Sequence, residues 1–141
     1  MGKKRIVKKG GEESGSKSGS KKLSRKKLES GILYVQSTFN NTKILLTDEK
    51  GNAVASASSG SLGFKGAKKG TPFAAAKAAE TLAEKAETMG VKRVKVIVKG
   101  VGSGRESSIR GFISRGIQIE SIVDRTPVPH NGPKAPKPRR V

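Results

Sequence analysis

The stretch from Thr71 to Gly90 carries both a start and a stop signal for a helix, and its position restricts the fold more than any other feature of the chain. Thr71 stands as N-cap, Pro72 takes the first helical position, and Gly90 follows Met89 as the stop. Ala75, Ala79, Leu82, Ala86 and Met89 recur at helical spacing, while Lys77, Glu84, Lys85 and Glu87 take other faces. A stripe of such small residues suits close packing on a sheet, and the flanks supply one. Ile32–Gln36, Lys43–Thr47 and Ala53–Ser58 read as short strands before the helix. Arg93–Lys99 follows it, with Val94, Val96 and Val98 on one face. Ser37 to Asn41 suits a longer hairpin loop, and Asp48 to Asn52 carries Gly51 where a turn needs a positive backbone angle.

A second helix is expected from about Arg105 to Arg115, with Gly116 as its stop. A last strand, Ile117–Asp124, sets Ile117 and Ile119 against Gln118 and Glu120, as a half-buried edge strand would. The first three strands make an antiparallel meander. Each helix then returns the chain to a strand parallel with the first. Right-handed crossovers put both helices on one face. The expectation is an α/β fold with a five-stranded mixed sheet of order 3-2-1-4-5 and two helices.

Charge narrows the partner. Thirty Lys and Arg against eleven Asp and Glu leave a net +19, far beyond the roughly 2 to 8 that solubility asks for. Polyanions, nucleic acid first, are the indicated partners. Before Gly31 there are 11 basic and 3 acidic residues, from 31 to 124 there are 14 and 8, and from Arg125 onward 5 and none. Three parts are therefore expected: a basic low-complexity extension over 1–30, an α/β body over 31–124 and an extended basic arm over 125–141. Residues 1–30 hold too few large apolar side chains to offset the entropy of ordering, so they are expected to be disordered when free. The prolines after Thr126 forbid a helix or an interior strand there.

Chemistry that needs particular residues finds little support. There is no cysteine, and the one histidine, His130, lies in the proline-rich arm, so neither a Ser-His-Asp triad nor a zinc site can be assembled. A two-metal nuclease needs clustered carboxylates. The available Asp48, Glu49 and Asp124 fall at strand ends, where acids commonly face solvent, although the strand order would suit a ribonuclease-H-like enzyme. Gly100-Val101-Gly102-Ser103-Gly104 lies between a strand and a helix but misses dinucleotide spacing, with Arg105 or Ser107 where a third glycine would stand. Such a loop lets phosphate approach backbone N–H groups at a helix start, with Arg105 as a cation; it is equally a tight turn with a surface arginine. Gly60 to Gly70 lacks Walker spacing. It offers Lys65, Lys68 and Lys69 with Phe64, either as a ring for RNA or as an inward anchor. No cofactor or metal is expected, and no apolar run reaches the roughly 18 residues of a membrane span.

Five motifs occur in order: Phe39-Asn40-Asn41-Thr42, Gly63-Phe64-Lys65-Gly66, Thr71-Pro72-Phe73-Ala74-Ala75, Gly102-Ser103-Gly104-Arg105-Glu106-Ser107 with Arg110, and Thr126-Pro127-Val128-Pro129-His130-Asn131-Gly132. Together they resemble the universal small-subunit ribosomal protein family eleven from about Gly31 to Val141. The resemblance implies a ribonuclease-H-like sheet without the enzyme's acids, on the platform of the small subunit. It implies binding to the central domain of the small-subunit RNA near the messenger exit path, beside platform proteins and across from the ribosomal protein seven family, in cytoplasmic ribosomes. RNA contacts are then expected from Asn40 and Asn41 in the first hairpin, and from Phe64, Lys65, Lys68 and Lys69 in the glycine loop. Ser103, Arg105 and Arg110 are expected to contribute around the second helix. In the arm the expected contacts are Arg125, His130, Asn131, Lys134, Lys137, Arg139 and Arg140. Asn131-Gly132 is also an unhindered pair for succinimide formation, and the resemblance implies isoaspartate there.

Overall fold

The structure, a computed structural model, describes residues 27 to 140; the extension expected over 1–30 lies outside the described residues except for its last four. In chain order the elements are β1 (Ser30–Ser37), β2 (Thr42–Thr47), β3 (Ala53–Ser58), two short 3₁₀ turns (Gly60–Leu62 and Gly66–Gly70), α1 (Pro72–Met89), β4 (Arg93–Gly100), α2 (Gly104–Ile113) and β5 (Gln118–Asp124). The sheet order is β3-β2-β1-β4-β5, as the turn and crossover signals require. β1 runs antiparallel to β2 with Val35 opposite Ile44, and parallel to β4 with Leu33 beside Val96.

Alternation decides which face is buried. Leu33, Val35, Ile44, Leu46, Val94, Val96 and Val98 point to the helices and are buried, as are Ala78, Ala79, Leu82, Ala83 and Ala86 of α1 and Phe112 of α2. Burying a Val, Leu, Ile or Phe side chain stabilises by about 1.5–3 kcal/mol each, so this layer is the main support of the fold. The alanine stripe brings α1 close to the sheet, and glycine brings α2 close to α1. A Cβ on Gly111 would stand 2.8 Å from the Ala76 carbonyl oxygen. Thr71 caps α1, its hydroxyl accepting from Ala74 N at 3.3 Å, and Gly90 ends the helix in the left-handed conformation.

Several details differ from expectation. β1 starts at Ser30 rather than Ile32, and ahead of it Leu28 N donates to Met89 O at 3.1 Å. α2 ends at Ile113 rather than Arg115, and Gly116 closes a separate turn by donating to Ile113 O at 2.8 Å. The alternation expected along β5 holds only for its first residues. Ile117 is buried and Ile119 half-buried, but the register against β4 then shifts, leaving Glu120 as an extra residue and exposing Ile122 and Val123.

Candidate nucleic-acid interface

Because β1, β4 and β5 are parallel, their C-terminal ends lie at one end of the sheet. The β1–β2 hairpin, the loop after β3 and the N-termini of both helices lie there too. Short hydrogen bonds hold these loops against one another. In the hairpin, Thr38 N donates to Asn41 O at 2.8 Å, Asn41 N donates to the Thr38 hydroxyl at 3.1 Å, and Thr42 N donates to Asn41 Oδ1 at 3.0 Å. The side chain of Asn41 is thus engaged in shaping the turn, whereas Asn40 is exposed.

The glycines of this end allow close approach to the chain itself. A Cβ on Gly70 would lie 2.1 Å from Phe39 O, one on Gly102 2.2 Å from Thr38 O, and one on Gly104 2.3 Å from the Thr42 hydroxyl. Real Cβ atoms do not approach so closely, so the loop after β3 and the β4–α2 loop both lie directly on the hairpin. Ser103 joins them by donating from its hydroxyl to Gly70 O at 2.8 Å. Gly102 N donates to Ser37 O at 3.1 Å.

Arg105 is placed at the start of α2, where sequence put it, but its guanidinium turns back into the protein. It donates to Gly100 O and to the Asp124 carboxylate, tying the loop to the end of β5. Thr126 completes the clasp, accepting from Gly100 N at 3.2 Å and donating to Asp124 Oδ1 at 2.6 Å. The Thr126 hydroxyl first, and Arg105 second, hold the Asp124 carboxyl well below the ordinary carboxylate range.

Charge is divided between the two ends of the sheet. At the loop end Lys65, Lys68, Lys69 and Arg125 are free of salt bridges among the described residues. The acids there, Asp124 and Glu106, face Arg105 and Arg110, the latter pair at 3.9 Å with both side chains largely exposed. Glu29, Asp48, Glu49 and Glu87 lie at the opposite end, in the β2–β3 turn, before β1 and in the last turn of α1, where they offset Lys50, Lys85 and Lys92. The positive ends of two helix dipoles add to the excess at the loop end. Arg125 borders a groove of about 380 Å³ with Tyr34, Gln36, Ile97 and Lys99 on the sheet face that carries no helix.

The structure therefore gathers Asn40, Asn41, Phe64, Lys65, Lys68, Lys69, Ser103, Arg105 and Arg125 at one end, with Arg110 one to two turns along α2. His130, Asn131, Lys134, Lys137, Arg139 and Arg140 are exposed in an arm without regular secondary structure and are not drawn into that group. Phe64 is half-buried and meets Phe73 edge-on, with centroids 6.2 Å apart and ring planes at 83°. It is neither a core anchor nor a free ring. Sequence reasoning missed Phe39 and Phe73, 78% and 63% exposed at the same end, and missed Asp124 and Thr126 as the partners of Arg105. Asp48 and Glu49 lie at the far end from Asp124, and among the described residues no three His, Cys, Asp or Glu side chains come together. No described helix is long and apolar enough to cross a membrane.

An α/β body with positive charge concentrated at one end and an exposed basic arm belongs to the class of proteins that seat on a polyanion. Residues 31–140 match the family model of ribosomal protein S11, and the chain belongs to the ribosomal protein S11 family. The resemblance seen in the five motifs is thereby confirmed. The family makes this a structural, RNA-binding constituent of the small ribosomal subunit.

Proposed function

We propose that the chain holds the central domain of the small-subunit RNA on the platform, near the messenger exit path and across it from the ribosomal protein seven family, in cytoplasmic ribosomes. The observation that carries this reading is the loop end of the sheet, where unmatched lysines, two helix N-termini and three interlocked loops form one rigid surface. Rigid donors fix register on a phosphate backbone without further ordering cost, so the body 31–124 sets position. The arm from Arg125 onward, extended by its prolines and bearing Lys134, Lys137, Arg139 and Arg140, threads between RNA helices where a globular surface cannot reach. In this role the protein works by binding and holding RNA, with no reaction of its own.

The test is to assemble the full chain on small-subunit RNA and map which nucleotides become protected from hydroxyl radicals. Protection confined to the central domain, with co-sedimentation of protein and small subunits in a high-salt gradient, is the expected result. Protection centred on another domain refutes the placement, and loss of the protein from small subunits refutes the structural role.

A further inference from the structure

Phe39 and Phe73 are large apolar rings on the solvent side of the basic loop end of the described body. Phe39 is 78% exposed, and Phe73 stays 63% exposed despite its contact with Phe64. Phe39 stands at the tip of a hairpin whose backbone is fixed by the Thr38 and Asn41 hydrogen bonds, so it is presented on a rigid mount and not on a mobile loop. Phe73 sits in the first turn of α1, and Phe64 contacts it edge-on, which settles its orientation. Lys77 Nζ lies 5.8 Å from the Phe73 ring centroid.

The two residues are linked through the backbone at Gly70. Its backbone lies against the Phe39 carbonyl, and Phe73 follows three residues later, a span of at most about 11 Å at roughly 3.6 Å per extended residue. Lys68 and Lys69 occupy the same turn, and Lys65 precedes it. Aromatic faces flanked by cations on a fixed scaffold are what single-stranded nucleic acid requires: rings stack on bases while lysines take the intervening phosphates. A continuous RNA duplex gives such rings nothing to stack on, because its bases are already stacked and its accessible groove presents hydroxyls and base edges. Leu62 and Val101 are also exposed at this end, as an apolar protein partner would use, but the three lysines beside the rings favour a polyanion.

We infer that Phe39 and Phe73 form a stacking platform for unpaired bases of an RNA loop or bulge, with Lys65, Lys68 and Lys69 holding the adjoining phosphates. This rests on the RNA-binding reading above and assigns its loop end to unpaired nucleotides. Stacking on a ring contributes about 5- to 150-fold in affinity per base, judged by alanine substitution. The experiment compares the full chain with Phe39→Leu and Phe73→Leu for binding to a single-stranded RNA oligonucleotide carrying 2-aminopurine and to the same sequence in a duplex. Leucine keeps apolar bulk and removes the aromatic face; thermal melting verifies that the variants fold.

Each variant is expected to bind the single strand at least fivefold more weakly and the duplex unchanged. The 2-aminopurine fluorescence should respond to the natural chain and less to the variants, a readout on the unaltered protein that needs no variant to fold. Equal losses on both RNAs, or no loss on the single strand, would overturn the platform, the latter also being the result if these rings served a protein neighbour. If the natural chain bound neither RNA, the RNA-binding reading itself would fall with it.

Discussion

Replacing Gly111 by alanine tests how tightly α2 is set against α1. Alanine is favoured over glycine inside a helix by about 1 kcal/mol, so in isolation the change would stabilise α2. In the structure the new methyl would meet Ala76 O at 2.8 Å, Ala76 Cα at 3.2 Å and the Ala79 methyl at 3.2 Å. The first two are backbone atoms of α1 and cannot rotate away. Restoring an ordinary contact near 3.4 Å moves α2 outward by about 0.6 Å, which loosens the fully buried Phe112 and the alanine stripe it touches. Overpacking of this kind costs about 1–3 kcal/mol. Because the obstructing atoms are backbone, the cost falls at the upper end of that range, about 2–3 kcal/mol, and with the helix propensity gain of about 1 kcal/mol subtracted the net loss is about 1–2 kcal/mol. For a body of about 100 residues each kcal/mol lowers the melting temperature by roughly 4–8 °C, so a fall of about 5–15 °C is expected by circular dichroism. Gly104→Ala should cost more, since its methyl would meet the Thr42 hydroxyl at 2.3 Å and the Ala75 methyl at 2.7 Å. A Gly111→Ala variant as stable as the natural chain, or more so, would refute the close helix contact.

Arg105→Ala should lower both thermal stability and RNA affinity, because the guanidinium clasps the end of β5 as well as adding charge; unchanged melting would confine Arg105 to the RNA surface. The depressed Asp124 carboxyl stabilises the fold above the ordinary carboxylate value near 4, and that contribution is lost as pH falls below it. Asp124→Asn should therefore flatten the decline in stability on acidification, and an unaltered pH profile would contradict the clasp. Thr71→Ala should cost about 1 kcal/mol or slightly less, given the 3.3 Å cap bond, and leave RNA binding nearly intact in a filter assay. Asn131 adopts a positive φ of 57° in the arm, and isoaspartate is expected there; peptide mass spectrometry finding intact asparagine in nearly all copies would reject it.

Strand order was legible because each connection carries local turn chemistry or a capped helix, and handedness then leaves one arrangement. The bulge at Glu120 was not legible, since it depends on how β5 meets β4 and not on either strand alone. Gly102 and Gly104 announced close approach but not its target: the nearest atoms belong to Thr38 and Thr42, more than sixty positions earlier. Arg105 reads as a surface cation until folding brings Asp124 to it from 19 positions away. Phe39 and Phe73 escaped notice because an apolar residue beside a turn or helix start more often faces inward. Pattern fixes which residues share a face, while exposure is decided by packing from distant elements.

The central claim, that the loop end of the sheet grips RNA, is tested most directly by moving charge between the two ends. Lys65, Lys68 and Lys69 replaced together by glutamine remove three positive charges from the loop end. Lys50, Lys85 and Lys92 replaced together remove three from elsewhere, chiefly the opposite end, with the same change in net charge. With roughly six phosphate contacts, the natural chain should show a log–log salt slope of about −4 to −5 in binding small-subunit RNA. The loop-end variant should bind more weakly with a slope shallower by about 2–3, and the opposite variant should keep the natural slope. Equal changes in the two variants would mean that net charge, and not this surface, holds the RNA.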